Sequence, residues 1–344
     1  MERQETRGLR EIEARHEALG LSGDHLLEMY YYMALARALD ERMWVLQRAG
    51  KVPFVISGQG HEGAQAGVMY AIDRNRDWFV PYYRSVCAVL MKGMTPREIM
   101  LSLFAKAEDP SSGGRQMPGH YGHPRYKILS TSSPVGTQYP HAVGIAYAAK
   151  VRRTGEICVV SIGEGGTSQG DWHEALNFAS IHKCPVVFVV ENNSYAISVP
   201  QELQMAVRDV SVRAQGYGIP GYTVDGSDVL AVYAVAREAV ERARRGGGPS
   251  LIECKVVRLT AHSSDDRQEK YRPVEELEAI RSVDPLVVFR HYLERAGIMD
   301  EAKYTEIHAR IRGEVDDATA YAEAAPYPDP ATAARHVYFE GEGA

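Results

Sequence analysis

Residues 157–193, ICVVSIGEGGTSQGDWHEALNFASIHKCPVVFVVENN, decide the fold class of this chain. A short apolar run, 157–163, is followed by a segment of helical periodicity, 168–183, and then by a second apolar run, 185–192. Two continuously apolar strands joined by one helix indicate a parallel β-α-β unit that is buried on both faces. The helix of this unit is expected to begin near Ser168.

The same pattern recurs further along the chain. YTVDG (222–226) precedes a helical segment, 228–244, a GGGP turn, 246–249, and the apolar run LIECKVVRL (251–259). Repeated β-α-β units with short turns predict an α/β fold with a doubly wound, mostly parallel sheet and helices on both faces. A helical stretch from Ser22 is expected to end at Gly50, and the chain after Asp284 has helical patterns.

These patterns predict an N-terminal arm and helix over 1–40, an α/β domain over 41–300 and a C-terminal helical tail over 301–344. With 39 Lys and Arg against 45 Asp and Glu, and no basic block, the composition argues against nucleic acid as a partner. Apolar runs such as PVVFVV (185–190) are too short to cross a bilayer. The four cysteines are dispersed and the first 20 residues contain no apolar signal core, so we expect a soluble, cytoplasmic protein.

Polar side chains follow both strands of the first β-α-β unit. The strand that ends at Ile162 leads into Gly163-Glu164-Gly165-Gly166, and the strand that ends near Glu191 leads into paired asparagines and Tyr195. Ligands of open parallel sheets bind at this edge, where a carboxylate and an amide oxygen suit Mg²⁺ together with phosphate oxygens. The glycines allow close backbone approach, and a helix N-terminus favours an anion. The sequence therefore predicts a metal-bridged diphosphate site.

Two simpler interpretations compete for this segment. A nicotinamide-binding G-x-G-x-x-G motif would need a third glycine where Ser168 stands. The Asn192-Asn193 pair could also be ordinary turn chemistry, since asparagine is common in turns.

The complete pattern, Gly163-Glu164-Gly165 followed after 26 residues (166–191) by Asn192-Asn193, resembles the GDG…NN motif of thiamine diphosphate enzymes. Glu164 stands where most members have Asp, and Glu is the form familiar in branched-chain alpha subunits. The resemblance extends over residues 25–330. The chain thus resembles the alpha subunit of the decarboxylase component of a 2-oxo acid dehydrogenase complex, closest to the bacterial branched-chain type, which implies the thiamine diphosphate-binding fold and thiamine diphosphate with Mg²⁺.

The resemblance also implies site residues in the blocks 78–94, 113–122, 130–150 and 258–272. It assigns the cofactor to Tyr82, Tyr83, Arg84, Ser133, Val135, Gly163, Glu164, Gly165, Gly166, Asn193 and His262. It assigns Mg²⁺ to Glu164, Asn193 and the backbone of Tyr195. A monovalent-cation loop for K⁺ would comprise Ser132, Pro134, Thr137 and Gln138.

Histidines receive different interpretations. His262 is expected to act near the reacting carbon, because an imidazole can pass a proton near neutral pH, and His120 to line the substrate funnel. Ser263 corresponds to a site that is phosphorylated in mammalian members. His61 and Glu62 belong to the same entrance or cap the following helix. The histidines interpreted as structural are His141, His173 and His182.

The resemblance implies an α2β2 heterotetramer, because the glutamate that activates the cofactor comes from a beta subunit. The expected activity is oxidative decarboxylation of branched-chain 2-oxo acids and transfer of the acyl group to a lipoyl domain of the acyltransferase. Pyruvate or acetoin dehydrogenase is the alternative. A scaffold that kept the fold without the cofactor is a further alternative, which intact Glu164, Asn193 and Arg84 oppose.

Overall fold

The computed structural model describes residues 15–338, so most of the expected N-terminal arm lies outside the described residues. A five-stranded sheet has the order β1-β2-β3-β7-β6, and all its pairings are parallel. Its strands are β1 (Trp78–Val80), β2 (Cys158–Gly163), β3 (Val186–Asn192), β6 (Gly221–Asp225) and β7 (Ser250–Lys255). A short antiparallel hairpin, β4 (Tyr195–Ala196) with β5 (Val199–Pro200), follows β3.

Helices make up most of the remaining structure. The α-helices are Arg15–Ala18, Gly23–Arg48, Glu62–Tyr70, Val86–Lys92, Pro96–Leu103, Gln138–Arg152, Gly170–Ile181, Val229–Arg244, Val274–Ala279, Pro285–Arg295 and Glu301–Ala324. The 3-10 helices are Pro124–Tyr126, Glu164–Ser168, Gln201–Leu203, Val210–Tyr217, Gln268–Lys270, Ile280–Val283 and Pro330–Thr332. Between residues 15 and 338, none of these helices combines the length and apolar character needed to span a bilayer.

Alternate residues of the sheet pack into two separate apolar cores. Val187 and Val189 of β3 join a cluster with the helices Gly23–Arg48, Glu62–Tyr70 and Val229–Arg244. The intervening side chains of β3, such as Phe188, join a second cluster with helices Gln138–Arg152 and Gly170–Ile181. Because successive strand residues point to opposite faces, both faces of the sheet are covered by helices. The predicted doubly wound α/β fold is confirmed.

Several predicted boundaries differ from the structure. The helix expected near Ser168 begins at Gly170, because Gln169 is extended (φ −73°, ψ 144°) and a separate 3-10 turn occupies 164–168. The long helix after Ser22 ends at Arg48, with Gly50 two residues further on in the left-handed region (φ 70°). The last strand stops at Lys255 rather than at residue 259. Strand β1 lies in a segment for which the sequence patterns above predict no strand.

Candidate active site

The candidate site lies at the carboxyl ends of the adjacent strands β2 and β3. Gly163 and Glu191 are register partners, so the residues that follow them leave the sheet side by side. A cavity of about 330 Å³ opens there. It is lined by Tyr82, Tyr83, Arg84, Ser133, Val135, Ile162, Gly163, Glu164, Gly165, Gly166, Asn193, Tyr195, Ala196, Ile197 and His262. The fold therefore brings together, around one cavity, all the residues that the resemblance assigned to the cofactor.

Glu164 and Asn193 both line the cavity and are in direct contact. The main-chain N–H of Asn193 donates a hydrogen bond to Oε2 of Glu164 at 3.2 Å, and Gln204 donates to Oε1 at 3.4 Å. Glu164 is 1% exposed, and this burial raises the pKa of its carboxyl group. Oδ1 of Asn193 accepts a hydrogen bond from the main-chain N–H of Tyr195 at 3.2 Å.

The donor set around Glu164 suits a hard cation with phosphate ligands. Within residues 15–338, no group of three or more His, Cys, Asp or Glu side chains could hold a metal ion. One carboxylate, one amide oxygen and main-chain groups leave coordination positions for phosphate and water, and Mg²⁺ prefers such oxygen-rich, incompletely protein-filled sites. The residues present therefore fit a diphosphate that is bound through Mg²⁺.

Two of the three glycines that line the cavity, Gly165 and Gly166, leave no free space for a side chain. A Cβ atom at Gly165 would lie 2.6 Å from Cβ of Ala196, and one at Gly166 would lie 2.3 Å from Cδ1 of Ile162. The main chain of this turn therefore stays accessible to a ligand in the cavity.

Arg84 lines the cavity with a buried positive charge, and no carboxylate within residues 15–338 balances it through a hydrogen bond. It is 2% exposed, and its donors reach the carbonyl oxygens of Ser57 (2.6 Å) and His262 (3.2 Å) and Nδ1 of His262 (2.9 Å). The ring of Tyr83 lies 5.0 Å from its guanidinium carbon. Burying a charge without a counter-ion is costly, so this position favours an anionic ligand.

His262 is held as a neutral imidazole. Burial and the charges of Arg84 and Arg258 lower its pKa to about 4. A guanidinium only donates hydrogen bonds, so Nδ1 accepts from Arg84 and the proton of the ring is on Nε2. The loop around His262 is fixed because Asp266 accepts from its main-chain N–H at 2.7 Å and Ser264 donates to the carbonyl oxygen of Val55 at 2.8 Å.

His120 is not among the residues that line this cavity. Its Nε2 lies 2.8 Å from Oγ of Ser133, which does line it, and its Nδ1 lies 2.8 Å from the carbonyl oxygen of Met117. His120 therefore contacts a residue of the cavity lining without belonging to the lining itself.

The residues expected to form a potassium loop are grouped in part. Oγ of Ser132 lies 2.8 Å from Oγ1 of Thr137, and both hydroxyls lie 3.2 Å from the carbonyl oxygen of Pro134. The amide of Gln138 is turned inward, where it accepts from the main chain of Gly136 and donates to the carbonyl oxygen of Ser161.

The sequence did not reveal a buried polar network under the site. His61 is 0% exposed, so it does not lie at an entrance; it occupies the N-cap position of helix Glu62–Tyr70 but makes no side-chain capping hydrogen bond. It contacts Glu191, which precedes the asparagines. Glu62 is also buried and is bound by Arg37 and the main chain of Gly60. The apolar runs that identified the strands gave no sign of these pairings, and the one signal was the position of Glu191 directly before the paired asparagines.

The doubly wound parallel sheet carries a carboxylate and an amide at adjacent strand ends, beside a buried arginine. This combination is typical of an α/β enzyme that binds a diphosphate cofactor. The chain belongs to the dehydrogenase E1 component family, whose sequence profile matches residues 30–331. This finding confirms the predicted family and excludes the nicotinamide-binding interpretation.

Curated relatives agree with this membership. The chain is 52% identical over 325 residues to the 2-oxoisovalerate dehydrogenase subunit alpha of Bacillus subtilis, covering 94% of this chain and 98% of the relative. It is 38% identical over 293 residues to the 3-methyl-2-oxobutanoate dehydrogenase subunit alpha of Mycobacterium tuberculosis (84% and 77%). It is 35% identical over 307 residues to the pyruvate dehydrogenase E1 component subunit alpha of Mycoplasma genitalium (89% and 82%).

Proposed function

We propose that this chain is the alpha subunit of a branched-chain 2-oxo acid dehydrogenase that decarboxylates 3-methyl-2-oxobutanoate and its homologues and acylates lipoyl groups of an acyltransferase. The observation that carries this proposal is the shared cavity of Glu164, Asn193, Arg84 and His262 in a chain whose similarity to the branched-chain subunit of Bacillus subtilis covers nearly its whole length. Membership of the family implies thiamine diphosphate as the cofactor.

The residues of the cavity would hold the cofactor in distinct ways. Glu164, Asn193 and the main chain of Tyr195 would bind Mg²⁺, while Arg84 and Tyr83 would bind the phosphates. When bound, thiamine diphosphate supplies a nucleophilic carbon and an electron sink for loss of CO₂. Tyr82, Ser133, Val135, Gly163, Gly165 and Gly166 would complete the binding surface.

His262 would act as a hydrogen-bond donor through Nε2. Its low pKa keeps the ring neutral at physiological pH, and Arg84 fixes the proton on the nitrogen that the guanidinium does not contact. A neutral Nε2–H can steady developing negative charge on the substrate oxygen and return a proton during transfer to the lipoyl group. His120 would support this region through Ser133 and line the substrate route, and the loop of Ser132, Pro134, Thr137 and Gln138 would bind K⁺.

The catalytic unit would be an α2β2 heterotetramer, in which the beta subunit contributes the glutamate that activates the cofactor. We therefore expect the purified chain alone to be inactive and the reconstituted pair to decarboxylate 2-oxo acids. Decarboxylation by the chain alone, at the rate of the pair, would refute this division of labour. The cysteines of the described chain are all buried and unpaired, in keeping with the proposed cytoplasmic location.

Substrate preference is tested by comparing kcat/KM of the reconstituted complex for 3-methyl-2-oxobutanoate and for pyruvate. We expect the branched substrate to be preferred by at least about tenfold, the discrimination available from one or two extra methyl groups in an apolar pocket. A preference for pyruvate or acetoin would replace the branched-chain assignment and leave the cofactor site unaffected.

A further inference from the structure

A buried polar network adjoins the cavity through Tyr82 and consists of His61, Gln65, Tyr82 and Glu191; we call it the floor network. His61 is 0% exposed and Glu191 is 2% exposed. Oε2 of Glu191 receives three contacts, from Nδ1 of His61 at 2.8 Å, Nε2 of Gln65 at 2.9 Å and the hydroxyl of Tyr82 at 3.3 Å. The network thus joins helix Glu62–Tyr70 and its preceding residue to the end of strand β3.

The opposite nitrogen of His61 contacts Asn193. Nε2 of His61 lies 3.4 Å from Nδ2 of Asn193. An amide nitrogen only donates hydrogen bonds, so Nε2 must accept and the proton of the ring must be on Nδ1. Nδ1 lies beside a carboxylate oxygen of Glu191, which only accepts hydrogen bonds. A proton on Nδ1 therefore satisfies this contact as well. His61 therefore carries its proton on Nδ1 and lies between a hydrogen-bond acceptor and a hydrogen-bond donor.

We propose that His61 and Glu191 form a positioning pair that fixes the amide of Asn193 so that its oxygen, and not its nitrogen, is presented to the divalent ion. This inference rests on the proposed function, because it concerns the ion of the diphosphate site. Oδ1 of Asn193 already accepts from the main-chain N–H of Tyr195, which requires the same orientation. With the amide reversed, the NH₂ group would face the cation, and an NH₂ group cannot ligate it.

The pair works through the tautomer of His61. Glu191 holds the proton on Nδ1, which leaves the lone pair of Nε2 free to accept from Asn193. A ring with the proton on Nε2 would repel the NH₂ group and favour the reversed amide. Partners behind a metal ligand commonly change metal affinity by about 10–100-fold when they are removed.

The test uses the assembled alpha–beta complex with thiamine diphosphate and Mn²⁺, whose binding is measured by electron paramagnetic resonance. We expect His61→Leu, which has no acceptor, to weaken Mn²⁺ binding by about 10–100-fold. His61→Gln can accept from Asn193 and donate to Glu191 with its amide, so its affinity should stay within about threefold of the wild type. Equal affinity of His61→Leu and the wild-type complex would overturn the proposal.

The matched control is His123→Leu. His123 also pairs with a carboxylate, Oε1 of Glu98 at 3.2 Å, but it does not line the cavity. Its removal should leave Mn²⁺ affinity unchanged. A wild-type complex that binds no Mn²⁺ would refute the proposed function itself. If instead the wild type and His61→Leu bind Mn²⁺ equally well, only the role of His61 is refuted.

A second measurement is made on the wild-type complex and needs a variant, the conservative His61→Gln, for assignment alone. In ¹⁵N-histidine-labelled wild-type complex, the resonances of His61, assigned by difference from His61→Gln, should show a protonated Nδ1 and an unprotonated Nε2. A protonated Nε2, in either the neutral ring or the imidazolium, would overturn the proposal, because Asn193 could not then donate to it.

Discussion

The guanidinium of Arg84 lies 2.9 Å from Nδ1 of His262, and both side chains line the cavity. Arg84 carries a buried charge without a hydrogen-bonded carboxylate among residues 15–338, and His262 is kept neutral beside it. This arrangement is energetically unfavourable in the free protein and favours the binding of an anion. A charge whose burial is unfavourable in the free protein and is compensated when a ligand binds is typical of a ligand-binding pocket.

Removing the charge of Arg84 should weaken cofactor binding without lowering the stability of the folded protein. In Arg84→Gln, we expect thiamine diphosphate affinity of the assembled complex to fall by about 10–100-fold, since hydrogen bonds to charged groups contribute about 1.5–3 kcal/mol. The melting temperature without cofactor should stay equal or rise, because a buried unbalanced charge is lost. Calorimetric titration and thermal denaturation measure the two effects.

The control for Arg84→Gln is Arg97→Gln, because Arg97 is exposed and pairs with Asp317 away from the cavity. It should leave cofactor affinity unchanged. An Arg84→Gln complex that binds the cofactor as tightly as the wild type would show that the guanidinium does not hold the diphosphate.

The low pKa of His262 predicts how the free energy of unfolding depends on pH. Its folded pKa is about 4, whereas its ordinary value is 6.5, so between these pH values the unfolded chain binds a proton that the folded chain does not. The unfolding free energy that this group contributes is therefore complete above about pH 6.5 and is lost as pH falls towards 4. His262→Gln should flatten the dependence of the melting temperature on pH in that window. Identical pH profiles of the two purified chains would contradict a depressed pKa.

Two glycines with positive φ should differ in their tolerance of alanine. Gly60 (φ 93°) would place a Cβ atom 2.1 Å from the carbonyl oxygen of Val257, whereas Gly50 (φ 70°) would place one in open space. We expect Gly50→Ala to cost about 1 kcal/mol, the strain of a left-handed backbone. Gly60→Ala should cost at least about 3 kcal/mol, because the 60 and 257 segments must also separate. Chemical denaturation compares the two, and equal costs would show that the close approach is absent.

The strands and helices of the sheet could be predicted because their cause is local. The apolar runs 157–163 and 185–192 and the helical period between them follow directly from burial on two faces. Strand β1 was missed because Trp78–Val80 is only three residues long, too short for a periodicity. The helix start was misplaced by two residues because nothing in the letters around Gln169 signals its extended backbone.

The sequence brings the proposed site residues together but gives no sign of the buried side chains behind them. Glu164 and Asn193 follow strands that are neighbours in a parallel sheet, so sequence order alone places them together. His61 and Glu191 are 130 positions apart, and their contact depends on how helix Glu62–Tyr70 packs on the sheet. Long-range polar pairs of this kind have no sequence period, and only the three-dimensional structure brings them out.

We propose that Glu164 and Asn193 anchor the cofactor through a divalent ion. Calorimetric titration of thiamine diphosphate into the assembled complex, with Mg²⁺ and then with a chelator, tests it most directly, using Glu164→Gln and the exposed control Glu174→Gln. We predict binding in Mg²⁺ only, weakened by at least about tenfold in Glu164→Gln and unchanged in Glu174→Gln. Equally tight binding in the chelator, or by Glu164→Gln, would contradict the claim.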